Sequence, residues 1–134
     1  MNKQGEIIGL AHIGIHTDNL QESIEFYTDV LGFTLDHTAD LHGGGVRLAF
    51  LNLGSCIVEL INIADKNVAA SRQAGVIDHL ALGVKDISSL VQRLEDRGVT
   101  YETKEPSNIP IKKGAKNIFF MGPSGERLEF FEYL

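Results

Sequence analysis

The most constraining feature of the sequence is one stretch that occurs twice, half a chain apart. Residues 10–17 read LAHIGIHT and residues 77–84 read IDHLALGV. In both stretches a histidine is followed by alternating apolar and small residues. His12 and His79 lie 67 residues apart (79 minus 12), which is half of the 134-residue chain. Self-similarity at such an offset indicates a duplicated structural unit, so we predict two modules of similar size.

Both copies alternate in the manner of a β-strand, whose successive side chains point to opposite faces. One face of each strand is apolar and is predicted to pack on a core. On the other face, Gly14 follows His12 and Ala81 follows His79, and these neighbours are too small to fill the space beside an imidazole. His16 shares the face of His12. This face is therefore predicted to hold a bound group, with His16 as a candidate substrate contact.

The first module, about residues 6–63, is predicted to have the order βαβββ. Asn19 suits the cap that begins its helix, and Gly32 suits the end of that helix. The polar residues 64–75 are predicted to link the two modules and to contain a short helix. The predicted strands of the first module cover 7–15, 33–37, 46–53 and 56–62.

The second module, about residues 76–134, repeats this order. Its helix is predicted to begin after Asp86 and to end at Gly98, and residues 105–115 are predicted to form a loop. The predicted strands of this module cover 77–84, 99–103, 116–121 and 126–133. Because no other stretch resembles a boundary, we predict a single domain over residues 1–134, in the α+β class.

Composition argues against several classes of function. A net charge of −6 argues against a nucleic-acid surface. No apolar run approaches the ~20 residues of a membrane span, and the first residues lack the apolar segment of a signal peptide. We therefore predict a cytoplasmic protein without membrane or nucleic-acid partners. The single cysteine, Cys56, has no partner for an internal disulfide and is predicted to be a small core residue.

Each module also ends with an acid inside an otherwise apolar strand: Glu59 in CIVELI and Glu129 in RLEFF. An unpaired carboxylate buried in such a strand costs several kcal/mol, so each is predicted to be exposed, paired with a cation or bound to a metal. Two imidazoles and two carboxylates suit a divalent ion such as zinc, nickel, cobalt, manganese or ferrous iron. The predicted metal ligands are His12, Glu59, His79 and Glu129.

These motifs resemble those of the vicinal oxygen chelate superfamily, which includes glyoxalase I, methylmalonyl-CoA epimerase, extradiol dioxygenases and bleomycin-binding proteins. The resemblance spans essentially the whole chain. It implies two tandem βαβββ modules that form a barrel-like cleft with the metal between two such modules. It also implies a homodimer, and the two modules around one metal can come from one chain or from two. All four ligand positions of the glyoxalase I pattern are matched. The matching segments are 11–15, 23–27, 30–33, 57–60, 78–82, 122–125 and 128–130.

The resemblance further implies a metal-dependent lyase or isomerase of the glyoxalase I (lactoylglutathione lyase) kind. One divalent ion per site, with nickel, zinc or cobalt first and manganese or iron as alternatives, would hold two neighbouring oxygens of a small-molecule substrate such as a glutathione hemithioacetal. That ion would stabilise an enediolate. Glu129 would be the catalytic base, with Glu59 as its catalytic partner.

Two departures from the bacterial glyoxalase I pattern concern the thiol. His16 stands where that pattern usually has an arginine that helps to hold glutathione. Ile63 stands where it usually has an asparagine. The resemblance therefore predicts the metal-dependent proton transfer, whereas these two departures argue against glutathione as the thiol.

Three cations are candidates for binding an anionic substrate. Arg47 and Arg127 are predicted near strand ends, and Arg127 shares the face of Glu129. Lys113 is predicted in a proline-flanked loop that would close over a carboxylate or a phosphate. His37, at the end of the strand predicted over 33–37, and His42 are assigned to a loop-rich region, and neither is predicted to be a ligand.

Three alternatives stand beside the leading hypothesis. A methylmalonyl-CoA epimerase-like enzyme would use the same enolate chemistry, and residues 52–54 and 59–60 resemble that family as well. An extradiol dioxygenase needs two histidines and one glutamate on iron, which would leave Glu59 as a spare acid. A drug- or metabolite-binding resistance protein typically lacks the metal ligands and lines its cleft with aromatic residues. This chain keeps the ligands and has no tryptophan, which favours an enzyme.

Overall fold

The computed structural model describes residues 5–122 and 127–134. The chain divides into two compact units. The N-terminal unit is His12–Asp78, and the C-terminal unit combines Met1–Ala11 with His79–Leu134. Both units contain strands and helices, and the predicted α+β class is confirmed.

In the N-terminal unit, two short α-helices accompany a four-stranded sheet. The strands are β1 (Glu6–His16, which enters this unit at His12), β2 (Thr34–Leu41), β3 (Val46–Leu53) and β4 (Cys56–Ile63). The helices are α1 (Leu20–Glu25), which continues as a π-helical segment (Phe26–Val30), and α2 (Lys66–Arg72). The sheet order is β2-β3-β4-β1, with β1 parallel to β4 and the other pairs antiparallel.

Helix α1 packs on one face of this sheet and so decides which face is available for a site. Asn19 caps α1 as predicted, because its side-chain oxygen accepts a hydrogen bond from the backbone N–H of Glu22 at 3.0 Å. The apolar cluster under the helix consists of Ala49, Leu51 and Leu60, with Ile15, Leu20, Ile24, Tyr27, Phe33 and Val58 packed against it. Since side chains alternate along a strand, His12 and Glu59 lie on the opposite face.

The C-terminal unit contains one longer helix, α3 (Ile87–Glu95). Its strands are β5 (Ile77–Lys85, which enters this unit at His79), β6 (Ser107–Ile109), β7 (Ala115–Met121) and β8 (Arg127–Tyr133). Residues 6–11 of β1 belong to this unit beside β5, and the order continues β5-β8-β7-β6. Strand β5 is parallel to β8, whereas β7 is antiparallel to both of its neighbours.

The N-terminus of α3 is capped from two directions. The Asp86 side chain accepts a hydrogen bond from the Ser89 backbone at 3.4 Å. The Glu132 carboxylate on β8 accepts hydrogen bonds from the backbone N–H of Asp86 at 2.7 Å and of Ile87 at 3.2 Å. A carboxylate is favoured here because a helix carries partial positive charge at its N-terminus. The core beneath α3 consists of Val84, Ile87, Leu90, Val91, Ile118, Phe120 and Phe130.

Residues 99–103 do not form the predicted strand. Within them, Tyr101 makes only an isolated bridge to Phe120, and the short strand β6 lies instead at Ser107–Ile109, inside the predicted loop. The Thr103 hydroxyl donates a hydrogen bond to the Glu105 carbonyl oxygen at 3.0 Å, and this local turn takes the backbone away from strand pairing.

Tyr101 anchors this irregular segment to the core. Its hydroxyl donates to the Val91 carbonyl oxygen at 3.4 Å. Burial, followed by the nearby Glu95 carboxylate, raises the pKa of Tyr101 above its ordinary value. The phenol therefore stays protonated and remains a donor.

Two further expectations are corrected in the N-terminal unit. Strand β2 extends to Leu41, beyond the predicted end at residue 37, so that His37 lies within the strand and not at its end beside a loop. Cys56 is exposed and is not a core residue, because it pairs with Leu53 at the turn end of the β3–β4 hairpin. The short helix predicted between the modules is confirmed as α2.

In the last predicted strand, Glu126 lies outside the described residues, and β8 begins at Arg127. Within residues 5–122 and 127–134, every helix is too short or too polar to cross a lipid bilayer.

Candidate functional site

In the N-terminal unit, His12 and Glu59 come together on the face opposite α1. Strands β1 and β4 are parallel, and Gly14 lies opposite Glu59. This register brings Nε2 of His12 to 3.4 Å from Oε1 of Glu59. Both residues are buried, at 1% and 6% exposure. Gly14, the strand partner of Glu59, has no side chain that would lie beside the two polar groups.

In the C-terminal unit, His79 and Glu129 repeat this arrangement. Strands β5 and β8 are parallel, and Ala81 lies opposite Glu129. Nε2 of His79 lies 3.1 Å from Oε1 of Glu129, and the two residues are 4% and 2% exposed. In both units, therefore, the glutamate faces the residue two positions after the histidine, and the small residue found in the sequence occupies that place.

The distances within each pair suit two ligands of one metal ion. With bonds of about 2.1 Å, two neighbouring ligand atoms lie about 3.0 Å apart at 90° and about 3.4 Å apart at the tetrahedral angle. The observed separations of 3.1 and 3.4 Å fall in this range. Imidazole nitrogen and carboxylate oxygen are also donors that zinc, nickel, cobalt and iron accept. Each unit therefore offers two suitable ligand atoms.

Each pair is flanked by a phenylalanine that sequence reasoning missed. Phe50 on β3 lies opposite Glu59, and Phe119 on β7 lies opposite Glu129. The Phe50 and His12 ring centroids are 5.4 Å apart at 87°, and those of Phe119 and His79 are 5.1 Å apart at 82°. This edge-to-face packing is favourable and holds the imidazole ring in place. The hairpin turn at residues 53–56 is the sequence feature that could have placed Phe50 opposite Glu59, because the turn sets the register of β3 against β4.

A different side chain stacks on each of the two phenylalanine rings. The His37 ring stacks on Phe50, with centroids 4.4 Å apart and an angle of 8° between planes. The Arg127 guanidinium stacks on Phe119, 3.8 Å from the ring centroid. The stacking of His37 on Phe50 was missed because the strand was predicted to end at residue 37, and its pairing with β3 was not predicted. Asp36 holds Nδ1 of His37 at 2.5 Å.

Arg127, predicted to bind an anionic substrate, is engaged within the C-terminal unit. Its Nε and Nη2 donate to the two carboxylate oxygens of Glu102 at 2.9 and 3.0 Å. This paired geometry fixes the plane of the guanidinium over Phe119. Arg127 does lie beside the predicted pair, on the strand of Glu129.

The other predicted substrate residues fall in three different environments. His16 is buried, and its Nε2 lies 3.0 Å from Oδ1 of Asp78, which also accepts a hydrogen bond from Arg72 at 3.3 Å. Arg47 has a 60% exposed side chain and occupies a position of β3 that faces away from Phe50. Lys113 is exposed in the loop before β7. Only His16 shares the buried face of the His12–Glu59 pair.

Known proteins are similar to this chain over nearly all of its length. The family model described as Glyoxalase/Bleomycin resistance protein/Dioxygenase superfamily matches residues 9–130. A probable lactoylglutathione lyase of Synechocystis sp. is 32% identical over 129 residues, covering 92% of this chain and 94% of the relative. The mitochondrial methylmalonyl-CoA epimerase of Dictyostelium discoideum is 31% identical over 133 residues, covering 91% of this chain and 78% of the relative. The crystal structure of methylmalonyl-CoA epimerase from Mycobacterium tuberculosis has a TM-score of 0.85 at 26% identity, covering 100% of this chain and 93% of that one.

Proposed function

Because the chain belongs to the glyoxalase/bleomycin resistance protein/dioxygenase superfamily, we propose that it is a metal-dependent enzyme that removes a proton from a carbon next to a carbonyl group and returns it. The leading reaction is that of a lactoylglutathione lyase, in which the proton returns to the neighbouring carbon. The observation that carries this proposal is the pair of a buried histidine and a buried glutamate, present in both units at the same register.

The two pairs are proposed to supply four ligands to one divalent ion. Those ligands are His12, Glu59, His79 and Glu129. Nickel, zinc and cobalt are the first candidates, because the donor set contains imidazole and carboxylate and no thiolate. When bound, the ion would supply Lewis-acid stabilisation of negative charge on the substrate oxygens.

The residues of the chain are proposed to hold the substrate carbon and move its proton. Glu129 is the proposed base, and Glu59 is its partner in the other unit. Each carboxylate is buried beside an imidazole and an aromatic ring, where water is scarce. A carboxylate in such a setting is held in place and poorly hydrated, and both properties favour proton transfer from carbon. Phe50 and Phe119 would keep the imidazoles oriented.

The thiol part of the substrate is proposed separately from the proton transfer. His16, which stands at the place of an arginine in the glyoxalase I pattern, has its imidazole engaged by Asp78 at 3.0 Å. We therefore propose a small hemithioacetal-like or 2-oxo substrate, with glutathione as the first thiol to be tested. A homodimer, expected from the resemblance, is tested separately by sedimentation velocity.

A methylmalonyl-CoA epimerase activity is the second candidate. The 31% identical relative and the solved structure with a TM-score of 0.85 both favour it. Epimerisation needs the same proton removal and differs in that the proton returns to the same carbon. Two carboxylates, one in each unit, suit return of the proton either to the neighbouring carbon or to the same carbon.

Metal content and two assays test the proposal together. Protein purified without chelator is expected to contain about one transition-metal ion per chain. It is then assayed with nickel and with zinc for isomerisation of the methylglyoxal–glutathione hemithioacetal, and for epimerisation of methylmalonyl-CoA. Activity in the first assay alone supports the leading reaction, and activity in the second alone supports the second candidate. If the protein neither contains metal nor takes it up on titration, the enzyme proposal fails and a ligand-binding role takes its place.

A further inference from the structure

The two glutamates differ in what lies beside them on the adjacent strand. In the C-terminal unit, Nδ2 of Asn117 donates a hydrogen bond to Oε2 of Glu129 at 2.8 Å. Asn117 precedes Phe119 by two residues on β7, and Phe119 faces Glu129. The equivalent position in the N-terminal unit, two residues before Phe50, is Leu48, which is buried and has no side-chain donor.

We propose that Asn117 is a positioning residue for Glu129, and this inference rests on the proposed function. The Asn117 amide holds Oε2, so that the carboxylate presents Oε1 to the metal beside Nε2 of His79. A carboxylate only accepts hydrogen bonds, so the amide must turn its N–H₂ group toward Glu129. Asn117 therefore decides which oxygen of Glu129 is presented.

The geometry around Glu129 is consistent with this assignment. Oε1 lies 3.1 Å from Nε2 of His79, whereas Oε2 is the atom that Asn117 engages. Each of the two oxygens therefore has a polar neighbour of its own. Such a carboxylate has little freedom to rotate, and an ion bound by Oε1 meets a ligand that is already oriented. Partners of this kind typically change metal affinity or activity by about 10- to 100-fold when they are removed.

The proposal also predicts a difference between the two glutamates. Glu59 has a leucine where Glu129 has an amide, so Asn117 distinguishes the C-terminal pair from the N-terminal pair. A role in stability alone would make Asn117 variants less stable without changing the metal affinity of the protein that remains folded.

The test uses cobalt(II) as the probe, because its visible spectrum reports on the ligands of the bound ion. Asn117→Leu copies the residue of the other unit, and Asn117→Asp keeps the shape but replaces the donor by an acceptor. Asn108→Leu is the matched control, since it makes the same change at an exposed position of β6. Each protein is stripped of metal, its Tm is measured, and cobalt affinity is determined by competition with a chelator.

We expect Asn117→Leu to bind cobalt about 10- to 100-fold more weakly than the parent, and to show an altered visible spectrum. Asn117→Asp, whose shape is unchanged, is expected to show an altered visible spectrum as well, because it removes the donor to Oε2 of Glu129 and places a second carboxylate there. The Asn108→Leu control is expected to match the parent. The inference is overturned if both Asn117 variants keep the parent affinity and spectrum. If the parent itself binds no cobalt, it is the proposed function that fails.

Discussion

The N-terminal and C-terminal units carry the same three residues in the same register and differ in what surrounds them. Each has a buried histidine and a buried glutamate on parallel strands, with a phenylalanine facing the glutamate. Around this shared set, His37 stacks on Phe50 in one unit, whereas Arg127 stacks on Phe119 in the other. The adjacent strand supplies Leu48 in the first unit and Asn117 in the second.

This difference separates the residues that both units share from the residues that vary around them. The histidine, the glutamate and the phenylalanine depend on each other through register, because moving any of them by one residue would place it on the opposite face of its sheet. The residues that stack on the phenylalanines, His37 and Arg127, differ between the two units. The two pairs therefore offer similar candidate ligands and have different side chains around them.

Replacing each glutamate by glutamine tests whether Glu59 and Glu129 contribute equally to proton transfer. The resulting loss of activity is the largest effect that we expect. Glu129→Gln is expected to lower kcat by about 100- to 10,000-fold, the usual contribution of a general base. Glu59→Gln is expected to lose activity as well, but less. Both are measured by steady-state kinetics in the metal-loaded protein.

The exposed Glu105→Gln serves as the control for this pair of variants. A larger loss in Glu59→Gln would exchange the two roles, and parent activity in both variants would contradict the proposed chemistry.

Truncating each phenylalanine compares the two units in stability. Phe50 is 1% exposed, so Phe50→Ala is expected to lower the free energy of unfolding by about 3–5 kcal/mol. Phe119 is only partly buried, and Phe119→Ala is expected to cost about half as much. Urea unfolding of the metal-free proteins measures both values. Equal losses would show that the two rings support their units equally.

Metal removal tests whether the two pairs act on one ion. At a free metal concentration 100 times the Kd, binding stabilises the folded state by about 2.7 kcal/mol, so chelation is expected to lower Tm and nickel or zinc to restore it. If both pairs hold the same ion, His12→Gln and His79→Gln each abolish this restoration. Should each variant keep half of the bound metal, the pairs would be two independent sites.

Removing the stacked arginine gives the smallest expected effect. Arg127→Ala loses a paired contact with Glu102 and a cation–π contact with Phe119, which together are expected to contribute about 1 kcal/mol or less, because the side chains are partly exposed. Thermal unfolding measures this change. A large rise in KM for an anionic substrate, with Tm unchanged, would instead assign Arg127 to substrate binding, as the sequence predicts.

Much of the fold followed from patterns that act locally. Helix α1 begins at Asn19 because a side chain there satisfies a backbone N–H, and strands β5 and β7 lie close to their predicted bounds because alternation and turns are encoded in short segments. The segment at 99–103 was predicted wrongly. Its apolar and β-branched residues favour a strand, but Tyr101 packs into the core and a turn at Thr103 removes the backbone from pairing.

Residue order and a period of two are enough to predict the duplication, the faces of the histidine strands and the acid in the last strand of each module. The sequence alone could not reveal that Phe50 and Phe119 pack edge-on against the histidines, that His37 and Arg127 stack above those rings, or that Asn117 holds Glu129. These contacts join strands through the register of their pairing. That register is set when the strands assemble into the sheet, because many alternative pairings satisfy the same hydrophobic pattern while one alone brings these side chains together.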